Sequence, residues 1–106
     1  MMQKITVLYG HPTDPEAFET YYEKNHLPLT ANMKGVAKME LTKFLGTPDG
    51  KKADYYRMAE LYFKDVEQMQ KTMASAEGQA TVLDLSNFAT GGVNVIIGTV
   101  QNTDES

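Results

Sequence analysis

The stretch GTPDGKK, residues 46–52, is the clearest turn in this chain, because it carries both proline and glycine. Extended segments lie on both sides of it, residues 36–45 before the turn and residues 55–63 after it. Two extended segments joined by such a turn are typical of a β-hairpin. The sequence therefore predicts an antiparallel hairpin near the middle of the chain.

A helical segment precedes this hairpin. Asp14 is a suitable N-cap, and Pro15 fits the first helical position because its missing N–H needs no partner there. Further along, Pro28 cannot donate the helical hydrogen bond, and its ring crowds the preceding turn. We therefore expect the helix to end or bend near residues 25–27.

A second helical region follows the hairpin. Asp65 is its predicted N-cap, and Gly78 is expected to interrupt the helix. Residues 80–88 are expected to resume it. The side chains of this resumed segment that should face inward are Val82, Leu85 and Phe88.

Strands are predicted at both ends of the chain. The run from Ile5 to Tyr9 has strand-like alternation, and residues 93–100 form an apolar segment after the break at Gly91 and Gly92. The order strand, helix, strand, strand, helix, strand is that of the split βαβ motif, the ferredoxin-like fold. We predict an α+β domain with a four-stranded antiparallel sheet and both helices on one face.

The predicted strands carry apolar side chains on both faces. A sheet that helices cover on one side only should alternate between apolar and polar residues. The opposing sets are Tyr55, Ala59, Leu61 and Phe63 against Tyr56, Met58 and Tyr62; Val93, Val95 and Ile97 against Ile96 and Val100; and Ile5, Val7 and Tyr9 against Leu8. A second copy of the sheet supplies the missing cover by two-fold symmetry, so we predict a homodimer whose sheets face each other.

Composition limits the classes of function. The 106 residues carry 10 basic and 14 acidic side chains, a formal charge of −4, which disfavours nucleic-acid binding. No apolar run approaches the roughly 18 residues of a membrane span, and no secretory signal is evident, so we expect a cytoplasmic protein without membrane contact. The length suits one domain, which we place at residues 1–100, with a flexible polar tail at residues 101–106.

The supply of reactive side chains is small. There is no cysteine, and His11 and His26 are the two histidines. Acid–base chemistry near neutral pH must use one of them, or a perturbed carboxylate or tyrosine. A metal held by His11, His26 and either Asp84 or a glutamate is an alternative that the spacing does not specify. We therefore predict no metal and no tightly bound cofactor.

His26 is the leading candidate for chemistry. Tyr22 lies four residues earlier, so on a helix the two side chains share a face, which should look towards the sheet. An imidazole in an apolar pocket is held neutral and can take a proton from a phenol or a carbon acid. With Tyr22, Asp84 can orient that imidazole, so we predict catalytic roles for all three. The alternative is structural, with His26 capping carbonyls before Pro28 and Asp84 accepting backbone hydrogen bonds.

Aromatic residues and the second histidine supply the predicted pocket lining. Apolar pockets with a few polar groups suit small aromatic or polyketide-like ligands. The predicted substrate-binding residues are Tyr9, His11, Phe18, Tyr55 and Phe88. The alternative is that the aromatic residues are ordinary core and that His11 is an exposed loop residue.

Several segments resemble one known family. The segments are DPEAF at 14–18, YEKNHLPL at 22–29, AEGQA at 76–80, DLSNF at 84–88 and GGV at 91–93. In this order they are similar to the EthD family of the dimeric α+β barrel proteins, over residues 5–100. A departure is MKGV at 33–36, where the family tends to show a Pro-Gly pair. The resemblance implies a ferredoxin-like monomer that pairs through its sheet into a closed barrel.

The function expected from these features is small-molecule catabolism or biosynthesis. The wider barrel group includes cofactor-free monooxygenases, cyclases and isomerases, so the resemblance implies no single reaction. We expect proton-transfer chemistry on a hydrophobic aromatic or ketone-bearing substrate, of isomerase, cyclase or cofactor-independent oxygenase type. The alternative is a non-catalytic ligand-binding or accessory protein for a partner oxygenase.

Overall fold

Four antiparallel strands form one sheet in the computed structural model, which describes residues 1–101. The strands are β1 (Gln3–Tyr9), β2 (Lys38–Lys43), β3 (Arg57–Phe63) and β4 (Val93–Thr99), in the sheet order β2-β3-β1-β4. The predicted central hairpin is confirmed, since β2 pairs antiparallel with β3. Strand β1 begins earlier than predicted, β2 and β3 begin later, and β2 and β4 end earlier. The predicted tail falls outside the described residues from position 102 onward.

Two helical arms connect the strands. The first arm holds α1 (Pro15–Tyr21), a π-helical turn (Tyr22–His26) and α2 (Leu27–Ala31); the second holds α3 (Val66–Ala74), α4 (Ala76–Asp84) and a 3-10 turn (Leu85–Asn87). Asp14 and Asp65 cap α1 and α3 as predicted, each accepting a backbone N–H from three residues ahead. The ferredoxin-like fold class is therefore confirmed.

The first arm does not end before Pro28. The backbone stays helical to Ala31, and the N–H of Leu27 donates to the carbonyl of Tyr22, five residues back. A proline inside a regular α-helix lacks a donor and crowds the carbonyl four residues earlier. The wider π turn changes the hydrogen-bond register just before the proline, so that Pro28 falls within the first turn of α2.

The second arm breaks at Ser75 and not at Gly78. Ser75 is extended, with ψ of 162°, and its hydroxyl caps α4 by accepting the Gly78 N–H at 3.0 Å. Helix α4 begins earlier than predicted, and its buried side chains belong to Thr81 and Asp84. Of the side chains predicted to face inward, Phe88 is buried and Leu85 packs against the core, whereas Val82 is 49% exposed.

Apolar side chains on the helix-facing side of the sheet form the core. They include Ile5, Val7, Ala59, Leu61 and Phe63, which lie opposite one another on the central strands. On the other face, Lys4 and Glu60 form an ion pair of 2.8 Å, so this face mixes charged and apolar residues. Tyr56, predicted to lie on that other face, is buried against Phe18 on the helix side, because the alternation breaks before β3 begins.

The junction between α3 and α4 leaves no room for a side chain at position 78. A Cβ on Gly78 would lie 2.3 Å from the carbonyl oxygen of Thr72 and 2.9 Å from the Cα of Met73. We expect Gly78→Ala to lower the free energy of unfolding by about 2 kcal/mol, although alanine favours helix, because the contact is with backbone. Urea denaturation measures this. Leu83→Ala, a change to alanine at a position of the same helix that is 74% exposed, is the control; equal stability of the two variants would contradict the prediction.

Candidate functional site

A small cavity lies between the sheet and the helices. Its volume is about 50 Å³, room for a few water molecules, and it opens partly to solvent. All four strands contribute apolar side chains to its walls, namely Ile5, Val7, Met39, Leu41, Ala59, Leu61 and Val95. The polar side chains in the walls are Tyr9, Tyr22, His26, Thr30 and Thr81. The cavity is therefore an apolar space with a few polar groups, the usual composition of a small-molecule site.

His26 reaches this cavity from the end of the π-helical turn. The residue is 3% exposed, and its ring lies against Phe88, with ring centroids 4.7 Å apart. The ring also stacks beside Tyr22, at 5.9 Å and an interplanar angle of 16°. Its Nδ1 atom lies 2.9 Å from Oδ2 of Asp84. The predicted proximity of His26 and Asp84 is thus present in the structure.

Three side chains donate hydrogen bonds to the Asp84 carboxylate. The Tyr21 hydroxyl donates to Oδ1 at 2.6 Å, Asn87 Nδ2 donates to the same oxygen at 3.0 Å, and His26 donates to Oδ2. Burial alone would raise the pKa of Asp84, but these hydrogen bonds outweigh it and hold the pKa below its ordinary value. Asp84 is therefore an anion at neutral pH.

The charge state of His26 follows from its surroundings. Burial lowers the pKa of His26 below 6.5, and the hydrogen bond to Asp84 opposes this shift only in part. At neutral pH the imidazole is uncharged. Because the ionised Asp84 can only accept a hydrogen bond, the single ring proton of His26 lies on Nδ1. Nε2 then carries the lone pair in a side chain that lines the cavity. This is the arrangement of a general base held in one tautomer.

The Tyr22 hydroxyl has no hydrogen-bond partner among residues 1–101, although it is fully buried. Burial raises the pKa of Tyr22 to about 12, so the phenol is neutral and keeps its proton. Its ring stacks on His26 on one side, and the Arg57 guanidinium lies 5.0 Å from the ring centroid. Tyr22 therefore touches His26 through its ring and not through a hydrogen bond.

A polar cluster that sequence reasoning missed lies beside Tyr22. Arg57 donates two hydrogen bonds to Glu19, at 2.9 and 2.7 Å, and the Tyr56 hydroxyl donates a third at 2.7 Å. These bonds lower the pKa of Glu19 to about 2. The cluster joins α1 to the start of β3, and no spacing rule connects residues so far apart in the chain. It fixes the arm that carries Tyr22.

The predicted substrate-binding residues occupy different places. Tyr9 lines the cavity, and Phe18 and Phe88 pack against Tyr9, with ring centroids 5.4 and 5.7 Å away. His11 lies outside the cavity walls, with Nε2 2.7 Å from the carbonyl of Ala53. Tyr55, also outside, accepts a hydrogen bond from Asn94 at 3.2 Å. The cavity thus brings together Tyr9, Tyr22 and His26 of the predicted set.

Comparison with known proteins shows which protein family the chain belongs to. The model of the EthD domain matches residues 10–92. An uncharacterised 11.0 kDa protein of the thcB-thcC intergenic region of Rhodococcus erythropolis is 36% identical over 95 residues, which cover 90% of this chain and 91% of that protein. The chain belongs to the EthD family. An EthD family crystal structure from Bacillus halodurans is also 36% identical, with a TM-score of 0.89, and the match covers 95% of this chain and all of that one.

More distant solved structures share the fold. A dimeric ferredoxin-like protein of unknown function from Jannaschia sp. CCS1 has a TM-score of 0.72 at 14% identity, over 94% of this chain and all of that one. SnoaB, a cofactor-independent oxygenase from Streptomyces nogalater, has a TM-score of 0.62 at 15% identity, over 95% of this chain and 93% of that one. At such identities the likeness concerns architecture. In the part of the EthD chain that the structure describes, no helix is long and apolar enough to cross a membrane.

The hydrogen bond between His26 and Asp84 leads to a testable prediction about the pKa of His26. We expect His26 to titrate below pH 6.5 in an NMR pH series, with its signal assigned by its loss in His26→Gln. In Asp84→Asn the carboxylate that favours imidazolium is gone, so the pKa of His26 should fall further. Asp49→Asn, in an exposed turn, is the matched control. A His26 pKa that rises in Asp84→Asn would contradict the assignment.

Proposed function

We propose that this EthD family protein is a proton-transfer enzyme, with His26 as the base, for a hydrophobic aromatic or ketone-bearing small molecule. The observation that carries the proposal is the buried hydrogen bond from His26 Nδ1 to Asp84, because it leaves Nε2 as the basic atom of a cavity-lining side chain. General bases are most effective when their pKa lies near the working pH. A neutral imidazole with a pKa below 6.5 is ready to accept a proton at pH 7.

The chemistry follows from the arrangement of charge. When Nε2 takes a proton, the imidazole becomes a cation beside the ionised Asp84, which stabilises it at short range. Tyr21 and Asn87 keep that carboxylate ionised and fixed in orientation. The mostly apolar walls give this pair a surrounding of low polarity, which strengthens these interactions. Isomerisation, cyclisation and oxygenation of a substrate carbanion all begin with such a step, and the substrate decides which one follows.

The proposal predicts the effect of removing the imidazole. In D₂O, the wild-type protein should exchange the acidic C–H protons of a panel of small ketones and phenyl ketones, followed by NMR. His26→Ala should slow this exchange at least about 100-fold, the lower end of general-base contributions. The wild-type rate should fall on the acid side with a midpoint below pH 6.5, because only the neutral imidazole is a base.

Chemical rescue separates a lost base from a damaged fold. His26→Ala leaves a space against Phe88 that added imidazole can enter, so imidazole should restore part of the exchange rate. Circular dichroism of the variant checks that the fold is intact. An exchange rate in His26→Ala equal to that of the wild-type protein would refute His26 as the base.

A ligand-binding or accessory role for a partner oxygenase is the second candidate. The observation that favours it is the nearly complete apolar lining of the cavity, which suits binding as well as catalysis. Under this role the wild-type protein binds ketones or aromatic molecules without exchanging their protons. Native mass spectrometry of the protein purified from its own host would then show a retained ligand.

The bare sheet face supports a homodimer, which we propose as the assembly. Ile96 is 54% exposed there, and no helix of the described residues covers this face. The edge strands β2 and β4 also have unpaired outer edges. A second copy facing the first would cover the face and pair both edges by one two-fold axis. The Jannaschia protein with the same fold is described as dimeric.

Light scattering tests the dimer. The wild-type mass should be twice 11.8 kDa. Ile96→Glu should shift the mass towards one copy, because it would place a charge within the proposed interface. Leu83→Glu is the matched control, since Leu83 is 74% exposed on α4, on the opposite side of the sheet. Dissociation by Leu83→Glu and not by Ile96→Glu would place the interface on the helices.

A further inference from the structure

We propose that the Tyr22 hydroxyl is the ligand-binding donor of this site and that the substrate carries a carbonyl oxygen next to its acidic C–H. This inference rests on the proposed function of His26 and names the class of its substrate. Tyr22 and His26 are neighbours in the wall of the same cavity. They would therefore act on adjacent atoms of one small molecule, with the hydroxyl on the oxygen and the imidazole on the neighbouring carbon.

The first argument is the missing partner. Tyr22 is 3% exposed, and its oxygen is the one fully buried side-chain oxygen or nitrogen without a hydrogen bond in residues 1–101. Leaving such a group unpaired costs the protein the free energy of removing it from water without compensation. Phenylalanine would fill the same space and keep the ring contacts with His26 and Arg57 without that cost. A buried hydroxyl kept at this cost is what we expect of a donor whose hydrogen-bond partner is a bound ligand.

The second argument concerns which chemical group the hydroxyl would meet. The Tyr22 phenol keeps its proton far above neutral pH, so it offers a donor. The remaining walls are almost wholly apolar, so a charged carboxylate or phosphate would lose its water without a matching cation. Arg57, the nearest guanidinium, is already bound by Glu19 through two hydrogen bonds. A neutral acceptor such as a ketone carbonyl therefore fits the site better than an anion.

The proton-transfer step balances with these two groups alone. His26 Nε2 takes the proton from the carbon beside the carbonyl, and the C–H electron pair becomes the C=C bond of an enolate. The carbonyl π pair moves onto oxygen, where the Tyr22 O–H stabilises the negative charge. Return of a proton from His26 to the same carbon regenerates the ketone, and in D₂O that proton is replaced by deuterium, so the step needs no co-reactant. The donor thus acts more strongly on the enolate than on the ketone, as catalysis requires.

A pair of matched probes tests the hydroxyl. Butan-2-one and 2-methylbut-1-ene have the same shape, but the alkene has CH₂ in place of the carbonyl oxygen. Their binding to the wild-type protein and to Tyr22→Phe is measured by ligand-observed NMR. We expect the wild-type protein to prefer the ketone and Tyr22→Phe to bind it about tenfold more weakly, with alkene binding unchanged or improved. Tyr62→Phe removes the same atom from the other sheet face and is the control.

Stability without ligand gives a second readout. Because Tyr22→Phe removes an unpaired buried hydroxyl, its Tm should rise by about 4 °C. A Tm that falls would show that the hydroxyl is satisfied inside the protein and would overturn the proposal. Equal ketone preference in Tyr22→Phe and wild type, or no binding of butan-2-one by the wild type, would also overturn it.

The two proposals fail in different ways. If the wild-type protein exchanges ketone protons through His26 but Tyr22→Phe keeps the ketone preference, the donor assignment is wrong and the base assignment stands. If the ketone preference depends on Tyr22 but no proton is exchanged, the donor assignment stands and the site binds without catalysing.

Discussion

The hydrogen bond between His26 and Asp84 is the interaction on which the site depends. It joins residues 58 positions apart, one on each helical arm, above a sheet that both arms cover. His26 lies at the end of the π turn, and Asp84 is the last residue of α4 and is buried. The pair therefore connects the two arms, and His26 lines the cavity between the arms and the sheet.

The electrostatics of the pair explain why one partner is charged and the other is not. A buried anion is tolerable when several donors surround it, and Asp84 receives hydrogen bonds from Tyr21, Asn87 and His26. His26 has one polar partner and otherwise meets aromatic rings, so its charged form is not similarly supported. The outcome is a neutral base beside a fixed carboxylate. In an apolar surrounding this pair is more sensitive to a developing charge than the same pair in water.

Much of the fold follows from local signals, and much of the site does not. The turn at residues 46–52 and the caps Asp14 and Asp65 predict elements that the structure contains, because each acts within a few residues of sequence. The break at Ser75 was misplaced onto Gly78, because a glycine is a stronger local signal than a serine N-cap. The structure gives a different reason for the glycine: the Thr72 carbonyl oxygen leaves no room for a Cβ at position 78, and this contact is not evident from the sequence.

For the site, the four-residue spacing predicted that Tyr22 and His26 share a helical face. Asp84 was proposed separately as a partner of His26. Tyr21 and Asn87 were not predicted as donors to Asp84, since that contact depends on how two arms pack. The alternation rule likewise failed at Tyr56, whose hydroxyl donates to Glu19 on the helix side. Such long-range polar contacts follow from the packed structure and have no periodic signature in the chain.

The π-helical turn determines which side chains of the first arm face the cavity. Successive residues of an α-helix advance by about 100°, so the extra residue in a π turn rotates everything after it by about that angle. Without it, the cavity-facing side chains of Leu27 and Thr30 on α2 would turn away from the sheet. Pro28 accommodates the turn because its missing N–H falls where the hydrogen-bond register changes. Irregular turns of this kind are frequent at functional sites, and here the irregularity ends on His26 itself.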